Sequence, residues 1–215
     1  MNGLTLCVRC GNCVGSSAQP AAHDRERLGD SVPAKNFWTS GLKRVFDLLV
    51  ASAGLILLAP LLAIIALAIR CDSRGPVLFR QERIGRGFKP FQILKFRTMV
   101  EDAPRLGGSL TAGDRDPRIT RVGRILRRMK LDELPQLINV VRGDMSLVGP
   151  RPEVRKYVEL FRSDYERLLS VRPGITDPAS LAYRNESEIL RNCDDVEKTY
   201  IERILPDKIA ISDHY

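Results

Sequence analysis

The sequence predicts an α+β, mainly helical monotopic membrane protein: a kinked, re-entrant N-terminal helix, a short β-hairpin and amphipathic interfacial helices around a small cytoplasmic domain. Three observations predict this fold. Residues 48–69 are apolar and uncharged, residues 76–82 and 90–97 alternate, and the remaining periodicity is mostly helical. The predicted divisions are a poorly ordered tail at 1–40, a membrane-inserted helix at 41–72 and a cytoplasmic domain at 73–215.

The N-terminal tail carries a CxxCxxC motif made by Cys7, Cys10 and Cys13. These thiolates could bind zinc with His23 as a fourth ligand. The absence of apolar periodicity in residues 1–36 favours the alternative, a tail without a fold of its own. The five cysteines are an odd number and no signal peptide is visible, so we expect reduced thiols and a cytoplasmic N-terminus.

The apolar run at 48–69 is long enough to cross a bilayer, since 22 residues rise about 33 Å as a helix. Basic residues flank both of its ends, so the charge distribution favours no orientation. Pro60 removes a backbone donor and bends the helix. A re-entrant helix that enters and leaves on the cytoplasmic face fits both facts better than a true span, and a buried core helix fits them least.

The segments at 76–82 and 90–97 predict a β-hairpin, with Gly85 and Gly87 as turn glycines rather than a phosphate cradle. Residues 101–117 predict a loop that is either a lid over a site or a plain connector. Arg118–Met129 predicts an arginine-rich amphipathic helix, which suits an anionic membrane surface or a solvated face over a protein core. Further helical patterns cover residues 131–141, 153–170 and 186–205.

The charge of the chain is +8, and residues 74–130 hold 15 Lys or Arg against 5 Asp or Glu. This excess favours an anionic partner. Nucleic acid is not expected, because the chain has a long apolar run and few aromatic residues near its basic ones. The anionic partners that stay consistent with the sequence are a phosphate-bearing lipid and a nucleotide.

Asp132 and Glu133 form an adjacent acid pair at the predicted start of a helix, where they are either simple helix caps or a reactive site. An ionised aspartate can attack phosphorus without a base. A diphosphate substrate would then require Mg²⁺, held by the two carboxylates, and nearby cations. Arg151, locked between Pro150 and Pro152, is the strongest candidate for a phosphate contact, and Lys95 and Arg97 lie on a basic strand.

Four blocks in this order resemble a known family: LKRVFDLLVASAGLILLAP, GPVLFRQERIGRGFKPFQILKFRTM, DPRITRVGRILRRMKLDELPQLINVVRGDMSLVGPRP and RPGIT. Over about residues 42–205 the chain resembles the bacterial sugar transferases known as monotopic polyprenyl-phosphate phosphoglycosyl transferases. The resemblance implies a helix break at Ala59–Pro60 and a location on the cytoplasmic face of the bacterial inner membrane.

The resemblance also implies a ping-pong enzyme that moves a sugar-1-phosphate from a UDP-sugar to undecaprenyl phosphate and initiates exopolysaccharide, O-antigen or glycan assembly. Asp132 would be the nucleophile, and Glu133 would assist Mg²⁺ placement or proton handling. The groups implied to hold phosphate or nucleotide are Lys95, Arg97, Arg127 and Arg151.

Three departures from the family pattern bear on these expectations. Lys130 stands where the family often has serine, and DPASLAYRNE follows RPGIT, which leaves the sugar open. The chain ends at Tyr215, short of the family's usual closing helical segment, so the alternative is a truncated, non-catalytic membrane scaffold. The sequence leaves open whether two copies form a homodimer.

Overall fold

The computed structural model describes residues 37–106, 116–184, 186–191 and 195–213. The cysteine motif and His23 lie outside the described residues, as do residues 107–115 of the predicted loop. The described part of that loop includes a short helix, α2, at Ala103–Leu106.

Helix α1 spans Phe37–Asp72 and has 36 residues, so it is about 54 Å long. Its helical structure continues through Pro60, and the break predicted at Ala59–Pro60 is not confirmed. The helix is long and apolar enough to cross a membrane by length and composition. Only 11% of its most apolar window is buried, so α1 is not a buried core helix within the part of the chain that the structure describes. Re-entrant insertion stays a prediction.

One narrow face of α1 packs against the rest of the chain. Ala51 lies in a cluster with Ile93 and Val140, and Ile65 and Ile69 lie in another with Leu126. The outward face leaves large apolar side chains exposed, among them Leu49, Ile56, Leu57, Ile64 and Leu67. Since water would meet this surface unfavourably, α1 presents an apolar surface that needs a cover.

The predicted hairpin is confirmed, with its first strand two residues later than expected. Strand β1 at Leu78–Ile84 pairs antiparallel with β2 at Pro90–Phe96, in a register that places Ile84 opposite Pro90. The connection is a 3₁₀ turn at Arg86–Phe88 in which Gly87 has a φ of 65°, a conformation that favours glycine.

Helix α3 spans Arg121–Arg128 within the predicted amphipathic segment. Its apolar stripe is divided: Leu126 is buried against α1, whereas Ile125 and Met129 are exposed among arginines. Helix α4 spans Gln136–Arg142 and begins after Pro135. The acid pair therefore precedes α4 rather than occupying its first turn.

A second sheet was not predicted. Strand β3 at Ser146–Val148 pairs in parallel with β4 at Gly174–Thr176. Strands of three residues show no measurable alternation, which explains the omission. Their approach is so close that a Cβ on Gly174 would lie 2.1 Å from the Gly149 nitrogen.

The remaining helices complete the core on the C-terminal side of the chain. They are α5 at Arg155–Leu160, α6 at Arg162–Leu168, α7 at Pro178–Ala182, α8 at Glu186–Arg191, α9 at Val196–Thr199 and α10 at Leu205–Asp213. A π-helical turn at Tyr200–Ile204 joins α9 to α10. Tyr157, Tyr200 and Leu205 are buried together, so α10 is an integral part of this core.

Candidate active site

The acid pair lies on a short 3₁₀ turn, Leu131–Glu133, between α3 and α4. The chain enters this turn through Lys130, which has a left-handed φ of 57°. This conformation is uncommon for a residue with a side chain, and it turns the chain sharply after α3. The turn packs against β2, which carries Lys95.

Glu133 is held by two cations from distant segments. Lys95 Nζ donates to Glu133 Oε1 at 2.8 Å, and Arg151 Nη2 donates to the same oxygen at 2.6 Å. Arg151 Nη1 reaches Oε2 at 3.4 Å, completing a two-pronged contact. Burial by itself would raise the pKa of Glu133, but the charges of Arg151 and Lys95 hold that pKa well below its ordinary value. Glu133 is therefore a fixed anion.

Asp132 has a different environment from its neighbour. Its Oδ1 is buried and has no hydrogen-bond partner among the described residues. Burial raises the pKa of Asp132 above its ordinary value; Lys95 and Arg127 act against this shift, whereas Glu133 adds to it. An unpaired buried oxygen is costly unless a ligand meets it, so Asp132 is the carboxylate available for chemistry.

The cations of the site are also mutually constrained. The pKa of Lys95 is lowered by burial and by the nearby charge of Arg151, although Glu133 opposes both effects. Burial would lower the pKa of Arg151, but the pairing with Glu133 raises it above its ordinary value. Glu133 thus keeps two positive charges together beside Asp132.

The predicted Pro-Arg-Pro unit is anchored beside the second sheet. The Arg151 backbone N–H donates to Asp177 Oδ2 at 3.2 Å, and Gly174 N donates to Pro150 O at 3.0 Å. Pro152 O accepts from Arg83 Nη1 at 3.3 Å. Both neighbours of Arg151 are thereby fixed, which directs its guanidinium at Glu133.

The structure separates two further residues that were predicted to contact phosphate, Arg127 and Arg97. The charge of Arg127 opposes the rise in the pKa of Asp132 that burial causes, and Arg127 Nε donates to Thr98 Oγ1 at 2.8 Å. Arg97 is buried and its Nη2 donates to Ser73 O at 2.8 Å and Ser73 Oγ at 3.0 Å, at the end of α1. The structure therefore joins Lys95, Arg127 and Arg151 around the acid pair, whereas the described hydrogen bonds of Arg97 lead elsewhere.

Sequence reasoning missed the residues that support this site. Asn139, fully buried in α4, accepts from Leu94 N at 3.0 Å and donates to Gln92 O at 2.8 Å, which anchors α4 to β2. An asparagine within the apolar run QLINVV was the available signal. Asp177 Oδ2 accepts from Ser212 Oγ at 3.0 Å as well as from the Arg151 N–H, and Asp177 is the N-cap of α7. An aspartate directly before a proline is a helix-start pattern, and it was the available signal.

The residues present fit a magnesium ion only in a limited way. Among the described residues there is no group of three or more His, Cys, Asp or Glu side chains placed to hold a metal. Both oxygens of Glu133 already accept from cations, whereas Asp132 Oδ1 has no partner. Mg²⁺ commonly uses one or two carboxylates and takes its other ligands from water and substrate phosphates, which this site would permit.

Comparisons with known proteins place this arrangement in context. The family described as bacterial sugar transferase matches residues 38–206. An undecaprenyl-phosphate glucose phosphotransferase of Komagataeibacter xylinus is 47% identical over 150 residues, which are 67% of this chain and 28% of that protein. A UDP-glucose:undecaprenyl-phosphate glucose-1-phosphate transferase of Caulobacter vibrioides is 50% identical over 144 residues, 65% of this chain and 53% of that protein.

A third relative, from Aeromonas hydrophila, is named a UDP-N-acetylgalactosamine-undecaprenyl-phosphate N-acetylgalactosaminephosphotransferase. It is 41% identical over 160 residues, which are 73% of this chain and 37% of that protein. The matched region thus spans between about a quarter and about half of the length of these three relatives.

Proposed function

Because this chain belongs to the bacterial sugar transferase family, we propose that it transfers a sugar-1-phosphate from a UDP-sugar to undecaprenyl phosphate, giving undecaprenyl-diphosphate-sugar and UMP. The observation that carries the proposal is the buried, unpartnered Oδ1 of Asp132 beside a cluster of cations. The names of the relatives support the two substrates, and those names include UDP-glucose and UDP-N-acetylgalactosamine. The product would initiate exopolysaccharide, O-antigen or glycan assembly.

In the first half of the reaction, a carboxylate oxygen of Asp132 attacks the β-phosphorus of the UDP-sugar. The bond between that phosphorus and the oxygen bridging to the α-phosphate breaks, and UMP leaves with the bonding electrons. A sugar phosphate remains on Asp132. No general base is required, because the ionised carboxylate is already a nucleophile.

In the second half, a phosphate oxygen of undecaprenyl phosphate attacks the same phosphorus. The bond to Asp132 breaks, the free carboxylate returns, and the diphosphate-linked product forms. The enzyme is thus modified and regenerated in each cycle, which is a ping-pong mechanism.

Positive charge must meet the diphosphate for either step to proceed. Arg151 is directed into the site by its two-pronged contact with Glu133, and Lys95 donates to the same Oε1 that Arg151 Nη2 contacts. Glu133 would therefore position two phosphate-binding cations. Mg²⁺, when bound at Asp132, would neutralise diphosphate charge.

The exposed apolar surface of α1 supports a membrane location, which an undecaprenyl acceptor would require. We propose that the chain lies at the cytoplasmic face of the bacterial inner membrane, where UDP-sugars are available. The exposed Ile125 and Met129 beside Arg121 and Arg124 on α3 would suit the same anionic surface.

The test measures UMP release by detergent-purified protein given Mg²⁺, undecaprenyl phosphate and a panel of UDP-sugars. Asp132→Asn keeps the shape of the side chain and removes the nucleophile, so we expect a loss of roughly 10³-fold or more. Asp164→Asn, at an exposed aspartate of α6, should retain parental turnover. Parental UMP release by Asp132→Asn would show that the nucleophile is wrong, and a folded parent silent across the panel would favour the scaffold alternative.

Omitting the acceptor tests the ping-pong order separately. About one equivalent of UMP should appear, and intact-protein mass spectrometry should detect the added sugar phosphate. Turnover that requires both substrates before any UMP is released would contradict the covalent intermediate.

A further inference from the structure

Two arginines meet at the C-terminal end of α4, the end opposite the acid pair. Arg44 of α1 donates through Nη1 to Met145 O at 3.4 Å and through Nη2 to Val141 O at 3.3 Å. Arg172 donates through Nε to Gly143 O at 3.0 Å. A Cβ on Gly143 would lie 3.4 Å from Arg44 Nη2, so both guanidinium groups border the same glycine.

A third arginine joins them from the hairpin turn. Arg86 is exposed and has no hydrogen bond or ion pair among the described residues. The neighbouring Gly87 N donates to Leu169 O at 2.8 Å, which brings the turn beside the segment leading to Arg172. Burial and the positive charges of Arg44 and Arg86 lower the pKa of Arg172, which places Arg44 and Arg86 within electrostatic reach of Arg172.

The carboxylate that acts on Arg172 is already paired with other groups. The charge of Asp47 acts to raise the pKa of Arg172, in opposition to the two arginines. Asp47 is buried, however, and its Oδ2 accepts from Ser146 Oγ at 2.7 Å and from Lys43 Nζ at 3.3 Å. Arg44 and Arg172 Nε contact carbonyl groups at the end of α4, and capping of the helix explains these contacts. It does not explain why Arg86, which caps nothing, adds a third like charge.

Apolar side chains border the same cluster. Val141, whose carbonyl binds Arg44, is exposed, as are Val171 beside Arg172 and Leu42 on α1. The outward surface of α1 continues this apolar border for most of its length. A small anion would use only the cationic part of this surface, whereas a molecule with a charged head and hydrocarbon chains would use all of it.

We propose that Arg44, Arg86 and Arg172 bind the phosphate headgroup of an anionic phospholipid whose acyl chains lie along the exposed face of α1. The site lies apart from the acid pair and does not depend on the transfer reaction. It would fix the depth and rotation of the cytoplasmic domain at the membrane surface, because its arginines come from α1, the hairpin turn and the segment before β4.

The experiment uses the full chain in detergent, titrated with phosphatidylglycerol or with phosphatidylcholine of the same acyl chains, and follows the thermal unfolding midpoint. We expect phosphatidylglycerol to raise the midpoint and phosphatidylcholine to raise it much less. Arg86→Gln should weaken the apparent affinity for phosphatidylglycerol about fivefold, the effect of one basic residue near an anionic surface. Since Arg86 caps nothing, this variant should fold as the parent does.

Arg80→Gln is the matched control, because Arg80 is an exposed arginine on β1 with no ion pair among the described residues and the same charge is removed. It should retain the parental affinity. The proposal is overturned if both phospholipids act alike, or if the two variants lose affinity equally. A parental midpoint raised as far by inorganic phosphate as by phosphatidylglycerol would also overturn it, since the ligand would then be a free anion.

Discussion

Replacing Glu133 by glutamine isolates the role of the two-cation contact. The substitution keeps the volume of the side chain and removes its charge, which leaves Lys95 and Arg151 facing each other without the carboxylate that pairs with both of them. We expect Glu133→Gln to destabilise the fold, whereas Asp132→Asn should leave stability unchanged or raise it slightly. Asp132, the adjacent residue, is thus a matched control, because its Oδ1 is buried without a hydrogen-bond partner in the part of the chain that the structure describes.

The magnitude follows from the burial of the partners. The side chains of Glu133, Lys95 and Arg151 are 16%, 21% and 29% exposed. Removing one member of a fully buried pair costs about 3–5 kcal/mol, and partial exposure reduces this to about 2–4 kcal/mol. At about 2–4 °C per kcal/mol for a chain of this size, the midpoint should fall by roughly 5–15 °C.

The assay is thermal unfolding of the parent and both variants in one detergent at pH 7, repeated at lower pH. Because the pKa of Glu133 is lowered in the folded state, its stabilisation is present above the ordinary glutamate pKa of about 4.3 and is lost as the pH falls below it. The difference in unfolding midpoint between the parent and Glu133→Gln should therefore narrow as the pH falls below about 4.3. Midpoints for Glu133→Gln and Asp132→Asn that agree within about 1 °C at pH 7 would refute the reasoning.

Two further substitutions test the packing around the site. Gly123→Ala should lower the free energy of unfolding by about 1–3 kcal/mol in denaturant titrations, because the new Cβ in α3 would lie 2.1 Å from Thr98 O. The control is Gly41→Ala, whose Cβ would have nothing within 4 Å, and this variant should be neutral or stabilising. In Asp177→Asn an amide nitrogen replaces one of the two carboxylate oxygens. That nitrogen either faces the Arg151 N–H, which is also a donor, or replaces the oxygen that caps α7. The variant should therefore lower the unfolding midpoint and raise KM for the UDP-sugar. An unchanged KM would mean that Arg151 is held without it.

The elements with a long or strong local pattern could be predicted from sequence. The apolar run specified α1, and alternation with turn glycines specified the hairpin to within two residues. Arg121–Arg128 forms a helix as expected, but its apolar stripe divides between the core and the surface. Sequence periodicity shows which side chains of a helix share a face, but it does not show what covers that face. The buried part of α3 is covered by α1, which is distant in the sequence.

The sequence by itself determined the chemical inventory of the site: two adjacent carboxylates, a proline-flanked arginine and a basic strand. Only the tertiary structure decided that Glu133 is bound by two cations while Asp132 Oδ1 has no hydrogen-bond partner among the described residues. The reason is that charge pairing and burial come from contacts across 38 and 18 residues of chain, with Lys95 and Arg151 respectively. Neighbouring residues of the same chemistry thus acquire opposite pKa shifts, a difference that no local pattern encodes.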